Sequence, residues 1–308
     1  MKITVIGNSN TEIIIKAPFV PGPGETTIGE TFSMLPGGRG AHQAVAAARA
    51  GGDVTFISRI GNDLFGEQAL QMLQQDGINT SYVIKDQTTS SGVASIIVDS
   101  NGESGITLSP GANLNLSQSD ILGAREAIVN ADLLLLQLDI PLDTVKFAAG
   151  LARSAGIRVI LNPAPALPVS DEILKSISVL TPDSAEAELL TGITITDERS
   201  AELAGRILLE RGLNRVIITL RSKGAMVIDN GGAEHVPGFK VKTVDKTAVS
   251  DVFNGALAVG LAEGKNFYEA VLFANAAAAI SYSRTGTKSS IPYREEILDV
   301  IRTVKRTH

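Results

Sequence analysis

The chain has 308 residues, 44% of them hydrophobic, enough for one large α/β domain or a main domain with a smaller appendage. Its net charge of −6 and pI near 5.2, with Lys and Arg scattered, argue against nucleic acid or an anionic membrane as a main partner. The absence of cysteine excludes disulfides, thiolate catalysis and Cys-ligated metals.

Residues 1–6 run straight into a strand-like segment, so no leader is expected and a cytoplasmic protein follows. No apolar run reaches the length of a membrane span. The densest, residues 133–138, is bounded by Asp132 and Asp139 and suits a buried strand. In chain order, core strands are expected at 3–6, 54–58, 133–137, 159–161, 179–180 and 216–219. Helical patterns lie between them near 41–50, 65–76, 142–155, 186–190 and 200–211. Two Ala-rich helices, 252–263 and 267–282, fill the last third, their small residues suggesting close packing. This alternation is the signature of an α/β fold with a mainly parallel sheet wrapped by helices. Residues 12–35 and 92–108 break the rhythm: apolar and polar residues alternate there, with Gly and Pro at the turns. They read as antiparallel strands with one exposed face, meeting as a small lid sheet whose open face suits a homodimer.

Two segments carry chemistry. Asp245-Lys-Thr-Ala-Val-Ser-Asp-Val-Phe-Asn-Gly-Ala256 places a carboxylate, Asp251, at the start of an apolar helix behind a turn of small residues. Free N–H groups at a helix N-terminus attract anions, and a carboxylate there can take a proton from an attacking hydroxyl. A plain N-cap is the bland alternative. Pro36-Gly-Gly-Arg-Gly-Ala-His-Gln43 leads into the first helix, where glycines admit close approach of a ligand or simply form a tight loop. The dinucleotide fingerprint is absent, since Gly7-Asn-Ser-Asn-Thr-Glu12 has one glycine, so a dehydrogenase lacks support. The Walker A pattern is absent too: in Gly286-Thr-Lys-Ser289, Thr287 stands where its second glycine is required.

Taken together, these segments resemble the ribokinase-like, or PfkB, carbohydrate kinases. Gly37-Gly-Arg-Gly-Ala-His-Gln-Ala44 resembles the family's first signature, usually GGKGANQA, and residues 245–256 its second, usually DTxGAGDxFxGA. Asn162-Pro-Ala-Pro165, Thr181-Pro-Asp-Ser-Ala-Glu186 and Thr219-Leu-Arg-Ser-Lys-Gly224 stand where the family has an NPAP turn, a PNxxE segment and a TLGxxG loop. Gly111-Ala-Asn113 and the ending Ser290-Ile-Pro-Tyr-Arg-Glu-Glu296 extend the resemblance over nearly the whole chain.

The resemblance implies a three-layer α/β/α core, residues 1–11, 36–91 and 109–308, with a β lid of 12–35 and 92–108. It implies transfer of phosphate from ATP with Mg²⁺ to a terminal hydroxyl of a small carbohydrate, ribose or a related sugar. Asp251 would be the base, and the N–H groups of Ala248, Val249, Ser250 and Asp251 the anion hole. Glu186, with Asp183, would organise Mg²⁺ through water. Thr219, Arg221, Ser222 and Gly224 would run beside the nucleotide, and Asn275 near the adenine. Asn10, Glu12, Gly38, Arg39, His42 and Asp139 would hold the sugar. A K⁺ site would draw on Asp245, Thr247, Ser281, Arg284, Gly286 and Ser290, mostly through carbonyl oxygens.

The chain departs from the family pattern at these same positions. Val249-Ser250 replaces Ala-Gly, and Ser250 is strained if its φ requires glycine. Arg221 replaces Gly, and Asp183 replaces Asn. In the sugar pocket Glu12 stands for Asp, Arg39 for Lys, His42 for Asn and Asp139 for Glu. These swaps open the acceptor to another pentose, a hexose, a nucleoside or an acidic sugar. The altered anion hole also motivates a rival reading, a weakly active sugar- or nucleotide-binding pseudokinase with a sensor role. Retention of Asp251 and Glu186 argues against that rival. His235, in an expected strand at 232–237, is read as structural or exposed, and His308, at the chain end, as disordered. Asp63 and Glu67 are read as shaping a turn.

Overall fold

The structure, a computed structural model, describes residues 1–306 other than Gly102, so His308 lies outside the described residues. The chain opens with β1 (Lys2–Ile6), β2 (Asn10–Lys16) and β3 (Thr31–Gly37), then enters α1 (Arg39–Arg49). Next come β4 (Asp53–Gly61), α2 (Leu64–Gln75), β5 (Asn79–Asp86) and the hairpin β6 (Gly92–Val98) and β7 (Ser104–Ser109). Short helices α3 (Gln118–Gly123) and α4 (Arg125–Val129) lead to β8 (Leu133–Leu136), α5 (Leu142–Ser154) and β9 (Arg158–Leu161). Then follow α6 (Asp171–Leu174), β10 (Val179–Leu180), α7 (Ser184–Thr191) and α8 (Glu198–Glu210). After β11 (Arg215–Thr219), β12 (Gly224–Asp229) and β13 (Gly232–Pro237) the chain is helical: α9 (Val249–Ala262), α10 (Phe267–Tyr282), α11 (Thr287–Ser290) and α12 (Arg294–Arg306).

Nine strands form the central sheet in the order β13-β12-β11-β10-β9-β8-β1-β4-β5. Every pair is parallel except β11–β12 and β12–β13. The all-Leu strand β8 shows why such strands read as unbroken apolar runs. Successive side chains point to opposite faces, so Leu133 and Leu135 join one core layer and Leu134 and Leu136 the other. Helices cover both faces, giving the expected α/β/α layers. β1 sits between β4 and β8, where the strand order reverses, and ligands of open α/β sheets bind beyond the strand ends at such a switch point.

Small residues at the helix contacts bring α9 close to α1 and α10. A Cβ on Gly255 would lie 2.6 Å from the Ala46 Cβ and 2.7 Å from the Gln43 carbonyl oxygen. The tight packing expected of the Ala-rich helices is therefore as much helix on helix as helix on sheet.

The second sheet runs β3-β2-β6-β7. The β2–β3 and β6–β7 pairs are antiparallel, as expected, but the two hairpins join through a parallel β2–β6 ladder. Each excursion folds back on itself as expected, and the alternation of a strand does not say which neighbour it will take between the two. Phe32 and Ile28 of this region are 72% and 86% exposed.

Candidate active site

α9 starts at Ala248, whose φ of 58° is left-handed, and its first helical bond runs from the Val252 N–H to the Ala248 carbonyl, 2.9 Å. The N–H groups of Val249, Ser250 and Asp251 precede that bond and have no acceptor in the helix. The expectation that Ser250 would carry backbone strain is corrected here. Ala248 and Arg221 are the non-glycine residues with positive φ among those described, and Ser250 lies within the helix. The left-handed residue is the first small one of the turn, where the resembling signature has Gly. An alanine there costs about 1–2 kcal/mol.

Asp251, 3% exposed, is held from two sides. Its Oδ1 accepts a hydrogen bond from the Gln43 Nε2, 2.9 Å. Gln43 is fixed in turn, donating also to Asn162 Oδ1 (3.0 Å) and accepting from Gln137 Nε2 (2.6 Å). Thr181 Oγ1 donates to Asn254 Oδ1 (2.6 Å), and Asn254 donates to the Ser250 carbonyl (2.8 Å). Of these supporting amides and hydroxyls, none was given a role from sequence. A polar residue just past the Leu run, Gln137, was the available signal.

On the other side, Asp251 Oδ2 lies 3.6 Å from His42 Nδ1, and His42 Nε2 lies 3.8 Å from Glu12 Oε1. Both are ion-pair contacts beyond hydrogen-bond length. Burial alone would lower the His42 ring, but Glu12 and Asp251 outweigh it and hold the ring above its usual value. Arg39 pairs with Asp139 at 3.5 Å. Burial pushes the Asp139 carboxyl up to about 6, against the pull of Arg39. The Gly38 N–H donates to Glu12 Oε1 (3.3 Å), and Gly38 must be glycine: its φ is 96° and a Cβ would meet the Asn10 nitrogen at 2.9 Å. Asn10 Oδ1 accepts from Asn113 Nδ2, 2.8 Å. The expected sugar residues Asn10, Glu12, Gly38, Arg39, His42 and Asp139 thus lie in linked contacts beside Asp251. Glu12 Oε2, His42 Nε2 and Asp139 Oδ2 are buried without a hydrogen-bond partner.

A cleft of about 260 Å³ opens at the start of α9, lined by Val249, Ser250, Asp183, Thr219, Arg221, Gly224 and Asn275. Ser222 lines a smaller adjoining hollow with Arg221 and Asn275. The Asn275 amide donates to the carbonyls of Val236 and Pro237, both 3.1 Å, so its donors are spent on the strand end. Lys246, missed from sequence, joins Arg221 in the cleft and places a second cation there. Asp183 and Glu186 form a capping box on α7, each carboxylate accepting the other's N–H at 2.8 Å. Burial, with Asp183 alongside, pushes the Glu186 carboxyl up to about 7. Such a group favours a nearby cation.

Residues 1–294 match the model of the pfkB family of carbohydrate kinases. The chain belongs to that family. It is 42% identical to the ribokinase of Haemophilus influenzae, over 97% of this chain and 98% of that one. It is 37% identical to the deoxyribokinase of Salmonella typhimurium, over 96% and 97%. Among solved structures, a ribokinase from Thermotoga maritima superposes with a TM-score of 0.90 at 39% identity, covering 98% of this chain and 99% of that one. Arabidopsis thaliana ribokinase, complexed with ribose and ATP, does so with 0.90 at 30% identity, covering 98% of each.

The remaining residues expected of this carbohydrate kinase, those of a cation site, gather near the C-terminal end of α10, from the loop before α9, the last turn of α10 and the segment through α11. Asp245 accepts from the N–H (2.9 Å) and hydroxyl (2.6 Å) of Thr247 and from the Gly286 N–H (3.0 Å). Ser281 and Ser290 share a hydrogen bond of 2.9 Å, and the Thr287 hydroxyl is buried without a partner. Arg284 turns away to pair with Glu296. Among the described residues no cluster of three or more His, Cys, Asp or Glu is placed to hold a metal unaided. Asp63 caps α2 and ties it to Ser91, the turn-shaping role expected of it. His235 lies in β13 against the Lys223 carbonyl, as a structural residue would.

Proposed function

We propose that the protein transfers the γ-phosphoryl group of ATP to a primary hydroxyl of ribose or a closely related sugar. The observation that carries this is the position of Asp251. It stands on the first turn of α9, next to Val249 and Ser250, which line the open cleft, and beside polar atoms buried without a hydrogen-bond partner. A nucleotide in the cleft would present its terminal phosphate to the N–H groups of Val249 and Ser250. A sugar on Glu12, His42, Arg39 and Asp139 would offer a hydroxyl to Asp251. Asp251 takes that hydroxyl's proton as the oxygen attacks phosphorus, and the helix N-terminus steadies the transferred group in line. Gln43 holds the Asp251 carboxylate in place, and Arg39, facing both Asp139 and Asp251, offsets their charge.

Glu186 and Asp183 would hold Mg²⁺ through water beside the nucleotide phosphates, and the raised Glu186 carboxyl fits that role. When bound, the ion neutralises phosphate charge. The oxygens of Asp245, Thr247, Ser281, Ser290 and the partnerless Thr287 suit a K⁺ ion behind the anion hole. The four-stranded sheet, formed by strands of the expected lid segments 12–35 and 92–108, would act as the lid over the sugar. Its exposed Phe32 and Ile28 favour a homodimer formed through it. No helix among the described residues is long and apolar enough to cross a membrane, and we place the enzyme in the cytoplasm.

The test is ADP release with MgATP across pentoses, deoxypentoses, hexoses, nucleosides and sugar acids, with and without K⁺. One sugar should turn over at about 1–100 s⁻¹. Asp251→Asn should lower that rate about 10²–10⁴-fold while nucleotide affinity is kept. Silence across the panel with ATP still bound would overturn the catalytic reading in favour of a binding role.

A further inference from the structure

The bridge Glu12–His42–Asp251 joins three elements that are far apart in sequence: β2 of the small sheet, the glycine-led helix α1, and α9, which carries the base. All three side chains are buried. The charged groups facing the ring are Glu12 from β2, Asp251 from α9 and Arg39 from its own helix, and Asp139, after β8, is paired with Arg39. We propose that His42 is a positioning residue for Asp251, a charged bridge that ties the base to Glu12 on the small sheet. The idea rests on the reading of Asp251 as the base.

Two buried carboxylates facing a common ring repel each other, and in a medium of low dielectric one of them takes up a proton unless a cation lies between. An imidazolium at 3.6 and 3.8 Å supplies that cation, so the trio carries one net negative charge and the base stays free to accept. His42 keeps its own proton throughout. The hydroxyl proton moves to Asp251 as the new O–P bond forms, and the bond to the leaving ADP breaks. The neutral Asn that the family pattern carries at this position would leave the trio with two net charges. The Nδ1 edge of His42 faces Asp251, while Nε2 faces Glu12 and has no hydrogen-bond partner. The small sheet and the base therefore share one ring, and movement of β2 changes the field at Asp251.

The chain has three histidines, so the ring can be followed by NMR, and His42→Asn assigns its signal by loss. The His42 signal should titrate above the ordinary histidine range. It should move to lower pH in Asp251→Asn and in Glu12→Gln. In steady-state kinetics with the acceptor found above, His42→Asn should shift the acid limb of kcat/KM upward by about one pH unit, roughly a tenfold loss on that limb. Adding Glu12→Gln to His42→Asn removes the second carboxylate and should move the limb back. A merely structural histidine would lower kcat/KM at every pH and leave the limb in place. A His42 signal indifferent to Asp251→Asn, or an unmoved acid limb in His42→Asn, overturns the bridge while the kinase reading stands. If no sugar turns over but the signal responds to both carboxylate variants, the bridge is upheld and the kinase reading falls. Glu12→Gln alone keeps the question decidable if His42→Asn fails to fold.

Discussion

The role proposed for Glu186 makes the grip on magnesium nucleotide tunable by pH around neutrality. The Glu186 carboxyl is pushed up to about 7, first by burial and then by Asp183, while the Asp183 N–H and Arg39 pull the other way. If the ionised form is what recruits Mg²⁺ through water, the competent fraction rises from about 0.1 at pH 6 to about 0.9 at pH 8. The Kd of a non-hydrolysable MgATP analogue should therefore fall about tenfold over that interval, with uptake of the ion releasing about half a proton at pH 7. Isothermal titration in two buffers of different ionisation enthalpy measures both quantities. The same titration on Glu186→Gln subtracts the nucleotide's own protonation. Identical pH slopes for the wild type and Glu186→Gln would refute the reasoning.

The same shift has a stability side, with a sign opposite to that of most carboxylates. A folded-state value above the unfolded one means the native protein holds the proton longer, so stability falls as pH rises from about 4.5 to about 7. At about 1.36 kcal/mol per unit the loss from this group is about 3 kcal/mol. Asp139, raised to about 6, acts in the same direction below that pH. Bound magnesium nucleotide should recover part of the loss, which a series of melts with and without MgADP would reveal.

Three further outcomes follow from packing. Gly255→Ala places a methyl 2.6 Å from the Ala46 Cβ and should cost about 1–3 kcal/mol by denaturant titration, with loss of turnover because α1 carries Gln43 and α9 carries Asp251. An unchanged midpoint would contradict the close approach of these helices. Ala248→Gly should be nearly neutral, because relief of the left-handed φ offsets the added freedom of the unfolded chain, while Ala248→Val should lose about 1–2 kcal/mol. Equal losses in both would show that the turn is not left-handed. If the proposed homodimer forms through the small sheet, Phe32→Lys should leave a single 32.2 kDa chain in sedimentation equilibrium where the wild type is dimeric, and a persistent dimer would place the interface elsewhere.

The sequence shows most clearly what depends on ordered signatures or on an unbroken apolar run. β8 is legible because four leucines are buried on both faces. Asp251 is legible only through the ordered family signatures around it, because a carboxylate behind small residues at a helix start would otherwise pass as a plain N-cap. β5 escaped notice because Asn-Thr-Ser-Tyr-Val-Ile-Lys-Asp is half-polar, as suits a strand at the sheet edge with one neighbour. α12 escaped because its apolar positions are interrupted by charges that face solvent. Backbone angle is invisible in the letters: Ser250 looked like the strained residue, yet the strain falls two positions earlier, on Ala248. Partner choice is equally hidden, which is why the parallel β2–β6 ladder and the amides around Gln43 emerged only in three dimensions.

The four departures in the expected sugar pocket make better sense as two pairs than as four separate changes. Arg39, with the longer guanidinium, faces Asp139, which is one methylene shorter than the Glu of the family pattern. Glu12, one methylene longer than the patterned Asp, faces His42, which replaces a neutral Asn. The first pair keeps a cation against an anion with its reach adjusted on both sides, and the second sets an ionisable ring against the carboxylate where the pattern has a neutral amide. Independent drift would break such pairs as often as it adjusted them, and a buried charge without its partner is costly. The pairing therefore argues for a pocket that was rebuilt and kept in use. It also places His42 3.6 Å from Asp251, the group proposed as the base.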